Sequence, residues 1–499
     1  MQISPARRAA FEILRRTEEG AYSSVLLAAA DADLNNKDRA LCHELVLGVL
    51  RRRLWLDRAL EHFAARKMDS LDLPVTLALR LGLYQLRFLS RIPASAAINE
   101  SVNLVKAARL RSAATFVNAV LRRATREPNY DPAAQATDPL EKIGIETSHP
   151  RWLVERWSEQ FGYEEAARIA LANNDPAPLA FRFTARACSE TQYLSIIDEL
   201  RDAGGELSKS QIVPGAWRVG RMPALLKRLG DRGLIYFQDE ASQLVAHLLD
   251  VTNRMRVLDV CAAPGSKSTC IAGQAPESAV VAADLYEHRV RTMKELASHQ
   301  QANNLLFVVH DATQSLPFGE RSFDRVLVDA PCSGTGTLRH HPEIRWRLQP
   351  ADIPELANKQ KQILEQASAT VRVGGCLLYS TCSLETDEND AVVTEFLERH
   401  PDFQRSHFTT HSDLQTTDGA LRTWPHRDGV DGFFLMAFQR MIDARSGVST
   451  GSGSDRVSDL ILKAAALSLA QSYMLDCALL PANCFKVTLN PSCLLSAKR

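Results

Sequence analysis

The stretch MRVLDVCAAPGSKSTCIAGQ, residues 255–274, runs from a β-branched apolar segment through a turn of small residues into a helix. Strand, tight turn and helix in that order form the first half of a βαβ unit. The same alternation recurs downstream: SAVVAA, LLFVV, RVLVD and CLLYST read as strands, with a late FFLMAF, and helices such as PELANKQKQILEQASATVR lie between them. Strands alternating with helices predict an α/β domain over residues 233–441 with a Rossmann-like, doubly wound, mostly parallel sheet.

Ligands of such sheets sit at the carboxyl ends of the strands, and the unusual residues of this domain fall there. After the first strand come Cys261, Ala262, Ala263, Pro264, Gly265, Ser266 and Lys267, which open a helix. A small-residue turn lets backbone amides approach a ligand closely. The loop has neither GxGxxG nor GxxxxGK[ST], which counts against a nicotinamide or a nucleoside triphosphate. The second strand ends in Asp284, a place suited to ribose hydroxyls, with Arg289 on the next helix. The third ends in His310–Asp311, where a carboxylate can accept from an adenine amino group. Taken singly, a strand-end carboxylate is as often a helix cap. The set fits an adenosine ligand without phosphates, such as S-adenosylmethionine.

The fourth strand runs into DAPCSGTG (Asp329 to Gly336) and the fifth into STCS (Ser380 to Ser383). Cys332 and Cys382 therefore lie at the tips of neighbouring strands, among Pro, Gly, Ser and Thr. A lone cysteine in an apolar strand is usually a buried, inert thiol, and Cys270 and Cys376 fit that description.

CAAPGSK, DAPCSGTG and YSTCS, in this order, closely resemble the RNA cytosine-5 methyltransferases. Residues 1–127, with RALCHELVLGVLRRR and FVNAVLRR, are similar to the NusB-like RNA-binding domain; together the resemblance spans about 440 of 499 residues. It implies a class I methyltransferase fold with S-adenosylmethionine as methyl donor and no metal. The implied substrate is a cytosine of 16S (small-subunit) ribosomal RNA. By family position Cys382 is the nucleophile and Cys332 assists proton loss and release. Asp329 would hold the ring near its nitrogen 3 and amino group, and Lys267 would help to position the base or its phosphate. Residues 261–267, Asp284, Arg289, Asp311 and Asp329 would bind the cofactor. Ser266 stands where the family usually has Gly, and Thr184, ending the strand AFRFT, where Asn is common, a change expected to bear on RNA contacts. FQDEASQ (Phe237 to Gln243) is expected to shape the methionine end of the cofactor site. Arg345 and Arg347, flanking Trp346, are candidate RNA contacts, with a structural Arg–Trp pair as the other reading. A transfer RNA substrate, another ribosomal cytosine, or a non-catalytic antitermination-type RNA-binding factor stay open as alternatives.

Around this domain, residues 1–127 show apolar positions at three- and four-residue spacing and read as an all-α bundle. They carry 21 Lys+Arg against 13 Asp+Glu in a chain of zero net charge, a plausible phosphate footprint. Residues 128–148 lack a sustained period and read as a linker, and 149–232 as a small α+β module. Residues 442–499 open on SGVSTGSGSD and have no assigned role. Ten cysteines without a CxxC spacing argue for reduced thiols and against structural zinc. No apolar run reaches membrane-spanning length and the N-terminus lacks signal-peptide character, so a cytoplasmic protein is expected. Nothing points to oligomerisation, and a monomer is expected.

Overall fold

A computed structural model of the chain describes residues 3–187 and 189–442. The Ser/Gly-rich stretch and Cys477, Cys484 and Cys493 of the tail lie outside the described residues. The N-terminal region is a bundle of helices Pro5–Glu18, Ser23–Ala30, Asn36–Arg51, Arg53–Ala64, Leu73–Phe88, Ala94–Ala107 and Ala114–Arg126. Leu73–Phe88 is its centre, buried continuously from Val75 to Gln85. At Gly48 an added Cβ would lie 2.1 Å from the Tyr84 ring, so only glycine permits the close approach of those two helices. Part of the positive excess is internal, since buried Arg80 meets Asp57 at 2.7 Å and Glu18 at 3.0 Å. Arg66, Arg91, Arg109, Arg111, Arg122 and Arg126 remain exposed.

Residues 128–148 are more ordered than their composition predicts. A 3-10 turn, Pro132–Gln135, is followed by a helix, Pro139–Thr147. Asp138 caps that helix through Leu140 N, and Pro139 occupies its first turn, where a missing N–H costs nothing. The prolines here start structure.

The next module is a four-stranded antiparallel sheet of β1 (Leu179–Phe183), β2 (Glu206–Lys209), β3 (Ala216–Arg221) and β4 (Ile235–Phe237), in the order β2-β3-β1-β4. β4 pairs Phe237 with Phe181, so the module reaches past residue 232, the predicted end. Thr184 is buried, with its hydroxyl on the Gly233 carbonyl and its N–H on Leu234 O at 3.2 Å.

The large sheet contains β5 (Arg256–Asp259), β6 (Ala279–Asp284), β7 (Leu305–Val309), β8 (Phe323–Asp329), β9 (Val371–Thr381), β10 (Phe403–Ser406), β11 (Leu421–Thr423) and β12 (Phe433–Arg440). Its order is β10-β12-β9-β8-β5-β6-β7, with β11 on β12. β9 through β7 are parallel, and β12, β10 and β11 are antiparallel. The chain winds outward from β5 through β6 to β7, then crosses to β8 and on to β9. The topological switch, where a ligand crevice forms, thus lies between β5 and β8. Among the described residues no helix is long and apolar enough to cross a membrane.

The segment after the DAPCSGTG loop anchors the helical bundle. Glu343 is buried and accepts from Ser23 N at 3.0 Å and Ser23 Oγ at 2.9 Å. Trp346 Nε1 donates to Leu50 O at 2.8 Å, Arg347 Nη2 to Thr17 O at 2.8 Å, and Arg51 Nη2 to Arg339 O at 2.8 Å. Arg345 is wholly buried and donates to Ser148 O, Asn173 O and Asn174 Oδ1. Of the two readings of Arg345 and Arg347, the structure supports the structural one, because their guanidinium groups satisfy carbonyls at a domain seam. Replacing Glu343 by Ala leaves the Ser23 N–H and hydroxyl unpaired and should cost about 3 kcal/mol. Calorimetry should then show the helical bundle melting separately and earlier, with Glu343→Gln intermediate; an unshifted single transition would contradict this anchoring.

Candidate active site

Asp329 pairs with Ser380 across β8 and β9, so the loops leaving these strands start side by side. The result is a distance of 3.3 Å between Cys332 Sγ and Cys382 Sγ, both partly accessible. Glu388, wholly buried, holds the two loops together. Its Oε1 accepts from Ser333 N at 2.9 Å and Gln360 Nε2 at 2.8 Å, and its Oε2 accepts from the hydroxyls of Ser333 and Ser383. Gly336 N donates to Cys382 O at 2.9 Å, and Leu384 N to Thr335 Oγ1 at 2.9 Å. A Cβ on Gly336 would stand 2.0 Å from Gly432 O, which fixes glycine there.

The two thiols are not equivalent. The hydrogen bond with Cys382, and then burial, push the Cys332 thiol well above its usual range. Either sulfur can donate in this contact. Lys267 Nζ lies 2.6 Å from Asp329 Oδ2, and Asp329 Oδ1 accepts from Ser380 Oγ at 2.9 Å. Burial alone would lower the Lys267 ammonium; Asp329 outweighs it and raises the group, and negative charge on Cys382 adds to the hold. Its Nζ also stands 5.3 Å from the Phe433 ring centre. Cys332, Cys382, Asp329 and Lys267 thus form one cluster.

The loop of residues 261–267 follows β5 at the switch point. Ala262 N donates to Ala283 O at 2.8 Å, the Ala263–Pro264 peptide is cis, and Gly265 has φ +102°. A Cβ at Gly265 would also meet Met293 Cγ at 3.2 Å. Ser266 begins the helix Ser266–Gln274 without positive φ, which explains why serine is tolerated there. Cys261 is half-buried at this turn, and burial raises its thiol; burial likewise raises Cys270, and Cys376 to about 11. Asp284 braces the loop, accepting from Ala263 N at 3.2 Å and Tyr286 N at 3.3 Å, with Arg289 Nη1 at 3.6 Å. Arg289 Nη2 also donates to Ala263 O at 3.3 Å. Asp311 uses Oδ1 as a local cap for Thr313, N at 3.0 Å and Oγ1 at 2.8 Å. The buried His310 Nε2 next to it has no partner among the described residues.

Three contributors escaped the sequence reading. Glu388 had as its sole signal the acidic run after STCS. Arg182, buried on β1, donates to Gln238 Oε1 at 2.9 Å and to Ser266 O and Thr269 Oγ1 at 3.0 Å, so it ties FQDEASQ to the turn. The third is a group in which Asp239, His340 and Asp431 place ligand-type atoms within 4.8 Å of one another. The Arg339 guanidinium, 3.6 Å from Asp431, already supplies the positive charge there, and burial pushes both carboxyls up.

Two measurements test this geometry. Diamide treatment should link Cys332 to Cys382, seen as a bridged peptide by mass spectrometry, and Gly336→Ala should slow linkage about tenfold. Persistently unlinked peptides would contradict the 3.3 Å approach. Asp259, wholly buried with Ser268 Oγ at 2.6 Å, is pushed up by burial from its ordinary 3.8 to about 7. The folded state then binds a proton that the unfolded chain has lost. This contribution is full below pH 3.8 and disappears as pH rises through about 7, a loss of roughly 4 kcal/mol. Asp259→Asn should gain stability relative to wild type between about pH 5 and pH 8 in urea melts; a constant difference would refute the assignment.

Residues 246–439 match the family model described as 16S rRNA methyltransferase RsmB/F, residues 4–126 that of the NusB family, and residues 149–223 the ferredoxin-like domain of RsmF/B-like methyltransferases. The probable ribosomal RNA small subunit methyltransferase B of Bacillus subtilis is 34% identical over 457 residues, 88% of this chain and 100% of the relative. The ribosomal RNA small subunit methyltransferase B of Erwinia tasmaniensis is 33% identical over 433 residues, 85% of this chain and 96% of the relative. The crystal structure of PH0851 superposes with a TM-score of 0.76 at 25% identity, covering 88% of this chain and 100% of that one. With three domains matched in order and full-length relatives above 30% identity, the chain belongs to the RsmB/F family of 16S rRNA methyltransferases.

Proposed function

We propose that this protein methylates carbon 5 of a cytosine in small-subunit ribosomal RNA, with S-adenosylmethionine as donor and Cys382 as nucleophile. The observation that carries the reading is the pair of unlike thiols 3.3 Å apart beside the Lys267–Asp329 ion pair. The names of the curated relatives support the substrate class.

Carbon 5 of cytosine is a poor nucleophile. A thiolate of Cys382 adds to carbon 6, forming the S–C6 bond and moving the double-bond electrons toward carbon 5. Lys267 keeps positive charge near this sulfur, and Asp329, held by Lys267 and Ser380, accepts from the ring's amino group. After methylation carbon 5 still carries its proton. Once Cys382 is bonded to carbon 6 it no longer shares a proton with Cys332, whose proton then passes to solvent, and the resulting thiolate is the base that takes the carbon 5 proton. The C–H electron pair restores the ring double bond, and the S–C6 pair returns to Cys382. The base must leave its stack to reach the sulfur, which suits an RNA loop.

S-adenosylmethionine, when bound, supplies the methyl group as an electrophile. The residues fit its nucleoside: Gly265, at φ +102°, keeps the turn tight against Met293, and His310 offers a buried nitrogen without a partner among the described residues, beside Asp311. Residues 261–267 would hold it together with Asp284 and Arg289 toward the ribose and Asp311 toward the adenine. Asp329 borders both this region and the base.

Cys382→Ala should reduce methyl transfer to naked 16S RNA below detection, and ordinary turnover by this variant would remove the nucleophile from the account. Cys332→Ala should accumulate a denaturant-resistant RNA–protein adduct on gels. Free release of methylated RNA by that variant would exclude the base role.

A further inference from the structure

The helical bundle, the Pro139–Thr147 helix, the module and the catalytic domain meet around a cleft of about 350 Å³. Arg58, His149, Arg151, Trp152, Arg345 and Trp346 line it. Its rim reaches solvent, since the side chains of Arg58 and Arg151 are 41% and 52% exposed. Its floor is wholly buried and carries polar atoms with nothing to bond.

His149 is 0% exposed. Its Nδ1 lies 2.9 Å from Thr147 O, which can only accept, so Nδ1 bears the ring proton. Burial, and then the charge of Arg345, push the imidazole well below its usual range, so the ring is neutral. Nε2 is consequently a bare acceptor, and it has no partner among the described residues. Arg345, whose Nη atoms brace the seam, leaves its wholly buried Nε without a partner among the described residues, and so does Arg58. A buried acceptor and donor left unpaired each carry a desolvation cost, so the floor is built for a group that both donates and accepts. A nucleobase edge does both. Trp152 and Trp346 line the cleft, with Arg53 over the Trp346 ring at 5.4 Å, and the rim guanidinium groups of Arg58 and Arg151, paired with Glu61 and Asp138, offer exposed charge for phosphate. The volume lies at the low end of the roughly 300–1,000 Å³ typical of small-ligand sites, room for one base with its sugar.

We propose that this cleft binds an unstacked nucleotide of the RNA substrate, a second one outside the catalytic site. The inference rests on the reading of the substrate as RNA and adds where that RNA is gripped. A strand lying between the exposed arginines of the helical bundle and the catalytic loops has this seam available to it, because the cleft wall Arg345–Trp346 continues directly from the loop that holds Cys332. Binding here would set how far along the strand the reacting cytosine lies.

The test uses the full chain and a 16S RNA transcript. Ultraviolet crosslinking with mass spectrometry should place a nucleotide on peptides containing Trp152 or Trp346. Arg58→Gln and Trp152→Ala should each weaken RNA binding about tenfold in filter-binding assays, the scale of one stacked base or phosphate contact. The KM for the methyl donor should stay within twofold, which general damage to the fold would not allow. Should Trp152→Ala fail to fold, Arg58→Gln, altered at an exposed side chain, carries the test. Crosslinks absent from these peptides with unchanged affinity in Arg58→Gln would overturn the cleft while wild-type methyl transfer upheld the RNA reading. A wild-type protein that binds no RNA would overturn both.

Discussion

Everything in the site follows from two parallel strands lying next to each other and ending level. Because Asp329 on β8 stands opposite Ser380 on β9, the loops that follow are forced into contact, and Cys332 and Cys382 meet although 50 positions apart. Pairing alone would leave two mobile loops. Glu388 converts them into one unit by accepting from both, and Gly336 admits the backbone contact that a side chain would prevent. The raised Cys332 thiol is a consequence, since its hydrogen bond with Cys382 is the first cause of the shift.

The same economy joins the rest of the molecule. Lys267 belongs to the turn after β5 and Asp329 to the end of β8, so their ion pair spans the topological switch and couples the expected donor region to the expected base region. Arg182 fastens the smaller sheet to that turn. Residues 339–347 leave the Cys332 loop and plug into the helical bundle through Glu343, Trp346 and Arg347. A bundle with exposed arginines is thereby fixed to the reactive loop itself, with no flexible tether between them.

Much of this was legible in the sequence. β-branched runs of four to eight residues ending in acidic, Pro–Cys or Thr–Cys groups located five parallel strands and the cysteine pair, because strand ends and turn residues obey local rules. What escaped depends on partners distant in sequence. The helix Pro139–Thr147 was masked by prolines that here occupy first-turn positions, and β4, β10 and β11, three or four residues each, are too short to show a period. Arg345 reads as a surface charge until Asn173 and Ser148 are brought to it. Glu388 reads as one acid among several until Ser333 and Ser383 converge on it.

The central claim concerns which atom of which base receives the methyl group. Nucleoside mass spectrometry of 16S RNA incubated with the purified protein and labelled S-adenosylmethionine addresses it directly. 5-Methylcytidine should be the labelled nucleoside, at one position. Label on an exocyclic nitrogen, a ribose oxygen or a purine would contradict it, because none of those atoms requires a sulfur bonded to carbon 6.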